Sequence, residues 1–150
     1  MTLQNLIQSI SEQEKNFDLL IDALVKKKEA IIADNYNMLE AAIKYEQKIL
    51  QSIECEERKR KELIKSFSEQ NSLPIKNYSF DELYTANKNL FGSETKKIEK
   101  IRNELREKAL RIAHLNSQLS VLVDVSRNII KERMISILGH GRRKLVNKRV

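Results

Sequence analysis

The stretch "QLSVLVDVSRNIIKERMISILG", residues 118–139, has no proline and meets its first glycine only at its end. It therefore reads as helix, but its apolar residues do not keep to one side. With about 100° per residue and Leu119 at zero, Ile98, Ile101, Leu105, Ile112, Leu115, Val123, Ile130, Met134 and Ile137 fall within about 60° either side. One stripe thus predicts a single helix from near Ser93 to Leu138, stopped by "GHG". Before residue 116 the rest of the circumference is almost all polar. Beyond it, Val121, Val125, Ile129 and Ile135 lie at about 160–280°, opposite the stripe. A bundle helix normally buries one stripe. The second face has three readings: a site for other helices of the same chain, a self-association surface, or a seat for a partner's helix.

Two further amphipathic helices precede this one. Leu3, Leu6, Ile7, Ile10, Phe17, Leu20, Ile21, Leu24 and Ile31 keep helical spacing over 3–33. Leu39, Ala42, Ile43, Ile49, Leu50, Ile53, Leu63, Ile64 and Phe67 do so over 38–67. Between them, in "ADNYN", Asp34 and Asn35 are candidate caps, unless one helix bends there and continues. Glu57 and Arg60 interrupt the second stripe; their stems are expected to cover the seam, the alternative being a polar pair that sets register. "SEQNSLPIKNYS" (68–79), with the only proline, Pro74, is the clear break. Ser79 and Glu82 then form a capping box opening a helix of about 12 residues, given an apolar side by Leu83 and Leu90 and ended by Gly92.

The expected fold is all-α, an antiparallel bundle of three long helices plus one short one, with the three long stripes facing one another. The long helices come to roughly 46, 50 and 69 Å. The last should therefore overhang its partners. Residues 1–141 are read as a single helical domain and 142–150 as a basic, mobile tail.

Composition agrees. Aromatics are 5%, Gly 3 and Pro 1 in 150 residues, too few for a sheet-and-turn protein, and a third of the residues are charged. The net charge of +7 is uneven: Arg142, Arg143, Lys144, Lys148 and Arg149 stand without an acid in the last nine residues. The other 141 residues hold 23 basic and 21 acidic side chains. The only cysteine, Cys55, allows no intrachain disulfide. The opening residues lack a basic, apolar leader pattern, and no run of about 18 apolar residues spans a membrane. A soluble cytoplasmic protein is expected.

Catalytic chemistry is not expected. His114 lies on the polar side of the last helix; His140 sits between glycines, a terminal-cap position with no metal-ligating neighbour. No glycine-rich phosphate loop precedes a helix, and the carboxylates alternate with Lys and Arg as on solvated helix faces. The reading is of a non-enzyme without a cofactor. Nucleic acid is not an expected partner either, because the basic tail carries no aromatic for stacking and the body has no basic stripe.

The order of segments resembles the FlgN family of flagellar type III export chaperones over about residues 10–139. "FDLLIDALVKKKEAIIADNYNMLEAAIKYEQKIL" is similar to its first part, a Leu-rich helix ending in Lys-Lys, a junction and a helix carrying Glu. "EERKRKELI" resembles its Glu-Arg segment. "LNSQLSVLVDVSRNIIKERMISILG" resembles its final helix, in which an Asn, here Asn116, precedes an apolar run. The resemblance implies clients, the C-terminal helical segments of the hook–filament junction proteins. These would be kept unpolymerised and passed to the export gate or export ATPase. It also places client binding on the final helix. On that basis Val121, Val125, Ile129, Met134, Ile135 and Leu138 are the expected partner-binding residues. The other readings are a coiled-coil stalk component of the flagellar export ATPase and a client-free scaffold dimerising through 118–138. Deleting residues 142–150 is expected to leave the melting temperature unchanged in a thermal scan, because the tail has too few apolar residues to pack.

Overall fold

The structure, a computed structural model, describes residues 2–73, 75–86 and 88–138. The expectations for Pro74, for the "GHG" stop and His140, and for the mobile tail after residue 141 lie outside the described residues. So does the side chain of Leu90.

The chain is all-α. Helix α1 spans Thr2–Ile32, α2 Tyr36–Gln70, α3 Phe80–Ala86 and α4 Thr95–Leu138, with a 3-10 segment at Lys88–Glu94. The first two helices are separate, not one bent rod. Asp34 takes a positive φ of 52°, and the Asn35 and Asp34 amides bond back to the Ala30 and Ile31 carbonyls at 3.0 and 3.2 Å. This closes α1 with a left-handed residue that need not be glycine. The Asn35 side chain then caps α2 by accepting from the Met38 amide at 3.1 Å. Ser72, φ 53°, ends α2 in the same manner, with Leu73 N bonded to Ser68 O at 2.9 Å.

Cross-helix bonds set the directions. Ser9 Oγ donates to Glu56 at 3.3 Å, Gln13 Nε2 to the Ile53 carbonyl at 3.4 Å, and Lys27 pairs with Glu46 at 3.2 Å, so α2 runs antiparallel to α1. Lys108 bridges Glu14 and Asp18 at 2.9 and 3.0 Å, and Lys28 donates to Gln118 at 3.1 Å, so α4 runs parallel to α1. Burial works against the Glu14 carboxylate, but bonds from the Glu104 carboxyl and the Lys108 ammonium outweigh it and hold Glu14 below the usual range. Ser9 and Gln13 are buried polar residues on the α1–α2 seam. Glu57 and Arg60, the pair singled out from the sequence, are half-buried with heads 3.9 Å apart, and Arg60 Nε is buried without a partner.

The core has two parts. The middle one joins Leu20, Ala23 and Leu24 of α1 to Ile49 of α2 and Leu115 and Leu119 of α4. The other, at the base, packs Leu6, Ile7 and Ile10 against Ile64 and Phe67 of α2, the short helix, and Ile98 and Ile101 of α4. Its centre is aromatic: Phe91 lies 6.3 Å from Phe67 and 5.9 Å from Tyr84, ring centre to ring centre. Arg102 covers the Tyr84 ring at 4.9 Å and donates to Asp81 at 2.7 Å. That hydrogen bond, partly opposed by burial, holds the Asp81 carboxyl below its usual range.

Four expectations need correction. The short helix is 7 residues, not about 12, and a 3-10 segment, Lys88–Glu94, stands between it and α4. Gly92, at φ 54° and ψ −125°, breaks the helical path there; a Cβ would meet nothing within 4 Å, so conformation and not space favours glycine. Only half of the capping box forms: Ser79 Oγ accepts from the Glu82 amide at 3.1 Å, while the Glu82 carboxylate turns to the Lys76 and Asn77 amides at 2.8 and 3.2 Å. Leu50, placed on the α2 stripe, is exposed, because the three-four spacing admits more residues than the contact covers. Lastly, the long stripe of α4 faces α1 only as far as Leu119. Val123, Ile130, Met134 and Ile137 are exposed because α1 has ended.

Leu24 has no exposed surface, so Leu24→Ala is expected to lower stability by about 2–5 kcal/mol in urea denaturation. Leu105 is half-buried, and Leu105→Ala should lower it less.

Candidate functional site

The register of α1 against α4 locates the site. Lys28 meets Gln118 and Asp18 meets Lys108, so Ile32, the last residue of α1, is level with about residue 122 of α4. Everything from Asp124 to Leu138 then projects beyond the hairpin. That overhang is roughly 22 Å long at 1.5 Å per residue.

Its surface is unusually apolar. Val121, Val125, Ile129 and Met134 are 61, 48, 44 and 42% exposed. Ile135 and Leu138 are half-buried. On the other side, Ile130 and Ile137 are 58 and 82% exposed. Scattered single apolar residues on a surface need no explanation, but eight on one projecting helix form a contiguous patch. At its foot two shallow grooves run beside the α1–α4 seam. One, of about 390 Å³, lies among Lys28, His114, Ser117, Gln118, Val121 and Leu122. The other, of about 380 Å³, includes Lys27 and Ile31 of α1 with Ser120, Val123 and Arg127 of α4. The hairpin turn beside them also shows apolar side chains: Ile32, Tyr36 and Met38 are exposed.

Of the six expected partner-binding residues, Val125, Ile129, Met134, Ile135 and Leu138 lie on the projecting segment and Val121 just below it; Val121, Val125, Ile129 and Ile135 fall on one side of the helix and Met134 on the side of the stripe. The wheel did not reveal that the continuing stripe, Val123, Ile130 and Ile137, is bare as well. The signal was the helix length mismatch, which marks an overhang without saying which face loses its cover. His114 is exposed, with its ring nitrogen 3.1 Å from Gln118 Nε2. Among the described residues no group of three or more His, Cys, Asp or Glu is placed to hold a metal ion, and no helix is long and apolar enough to cross a membrane. What the arrangement offers is exposed apolar surface.

Comparison with known proteins gives one match: residues 1–147 fit the sequence model of a family described as FlgN protein. No curated protein and no solved structure matches.

Because the overhang is exposed, Val125→Glu and Ile129→Glu are expected to change stability by no more than about 0.5 kcal/mol in thermal or urea unfolding. A larger loss in both would mean that this face is packed in the free chain.

Proposed function

The chain belongs to the FlgN protein family, and from that premise we propose that it holds its clients on the overhanging third of α4. Family membership makes it a chaperone of flagellar export. The finer reading is that its clients are the hook–filament junction proteins. Their C-terminal helical segments dock in the cytoplasm on Val121, Val125, Ile129 and Ile135, with Met134 and Leu138 at the far end, and are handed from there to the export apparatus.

The observation that carries this reading is the exposure of Val125, Ile129 and Met134 on a helix that has outrun its own partners, with Val121 exposed just below. Segments that polymerise through helices have bare apolar faces before assembly. A holder must cover those faces and then release them. Burial contributes about 25 cal/mol per Å², and ordering of the client helix offsets part of it. A single-helix platform with shallow grooves covers a limited area, which keeps binding reversible.

The test is titration calorimetry with purified junction proteins, alongside light scattering of the free chaperone. Val125→Glu and Ile129→Glu should each weaken binding by at least about tenfold, since a charge left unpaired in an apolar contact costs several kcal/mol. The free protein should run as a monomer. Unchanged affinity in both variants moves the client elsewhere. A stable wild-type dimer broken by Val125→Glu makes the face a self-association surface instead.

A further inference from the structure

The overhang carries a second strip that this reading leaves unused. Val123, Ile130 and Ile137 continue the line of Ile98, Ile101, Leu115 and Leu119, which are buried against the rest of the bundle. Below residue 122 this line is the seat on α4 for a parallel helix, α1. Above it the same line goes on with the same spacing, and no described part of the chain covers it. The groove between Ile31 and Val123 marks where α1 leaves it.

Charge distinguishes the occupant. On the wheel, Arg127 and Lys131 border the strip at about 80° and 120° on one side, and Arg133 lies at about 40° on the other. The two acids of the overhang, Asp124 and Glu132, sit farther round, at about 140° and 220°. The described overhang, residues 124–138, holds three basic and two acidic side chains, and the basic ones are those nearest the strip. A second copy of this chain would set the same bordering cations, Arg127, Lys131 and Arg133, against themselves. It would also meet a strip only roughly 22 Å long and one helix wide, far short of the about 1,200–2,000 Å² that a stable pair buries.

We propose that the strip of Val123, Ile130 and Ile137 seats an acidic amphipathic helix of the client, end to end with α1, with Asp or Glu flanking its apolar stripe on both sides. The inference rests on the reading that the overhang takes up a client helix, and it adds a second seat and the chemistry of what fills it. The flanking cations select the partner's charge and speed its arrival, while the apolar strip supplies the fit.

The test uses the full chain and three synthetic helical peptides of about five turns. One has a leucine stripe flanked by Glu, one the same stripe flanked by Lys, and one the Glu residues with the leucines scrambled. Fluorescence anisotropy should show the first binding at least about tenfold more tightly than the other two, with the advantage shrinking as salt is raised. Ile130→Glu and Ile137→Glu should each weaken it by about tenfold or more, and by more than Val125→Glu does, with melting temperature kept, while Leu110→Glu, at an exposed residue below the overhang, should leave it within about threefold. Equal binding of the Lys peptide overturns the acidic partner. Equal binding of the scrambled peptide overturns the seat, as does a loss with Val125→Glu alone or a lowered melting temperature in Ile130→Glu. Junction proteins that bind while the Glu peptide shows no preference sink this inference and leave the client reading standing. A Glu-peptide preference without junction-protein binding sinks the client reading instead.

Discussion

The shared burial of α1 is the constraint on which the rest of the molecule depends. α1 lies against α2 through Ser9, Gln13 and Lys27, and against α4 through Glu14, Asp18 and Lys28. Leu20, Ala23 and Leu24 form one cluster with side chains of both partners. A helix enclosed in this way sets the length over which its neighbours can be covered. It stops at Ile32 because a left-handed Asp34 and an Asn35 cap turn the chain into α2. α4 has no such stop until at least Leu138. The exposed surface of the overhang is thus a consequence of where α1 ends.

The aromatic base keeps that consequence reproducible. An overhang has a fixed extent only if α4 cannot slide along α1. Sliding by one turn would shift α4 by about 5.4 Å and would separate Phe91 from Phe67 and Tyr84. It would also pull Arg102 from Asp81 and Tyr84, and Lys108 from Glu14 and Asp18. The exposed ion pairs among these are individually weak. The ring packing is not, and it lies at the opposite end of the bundle from the overhang. The packed base and the exposed apolar surface are therefore separated along the same helix. This is why apolar side chains near residue 130 stay in water without loosening Ile98 or Ile101.

Much of the fold was legible in the sequence, for a physical reason. Periodicity at three and four residues reports which side of a helix is apolar, and it found α1, α2 and α4 with ends close to those observed. Asn35 was readable as a cap because its side chain supplies the acceptor an N-terminus lacks. Other features depend on what lies opposite, which a wheel does not contain. Leu50 fits the stripe of α2 yet faces water. Ser9 and Gln13 interrupt the apolar pattern yet are buried, because the partners they reach, Glu56 and the Ile53 carbonyl, are 47 and 40 residues away. Glu82 serves the Lys76 and Asn77 amides because the preceding loop folds back over the helix start. Of the candidate surface, the second apolar face was legible. The bareness of the first face followed only from the register between α1 and α4.

That register connects the fold to the chemistry of holding. In the bundle, the stripe of α4 is core where α1 lies on it and surface where α1 has ended, with no change in residue type along the line from Ile98 to Ile137. A helix arriving on the upper part meets the spacing that already accepts α1 below. Little of α4 must rearrange to receive it, and its own ordering is the principal opposing cost. Release is likewise local, since the base and the middle cluster do not take part. A platform of this kind favours helices by the pitch of its apolar strip and selects among them by the cations along its edges.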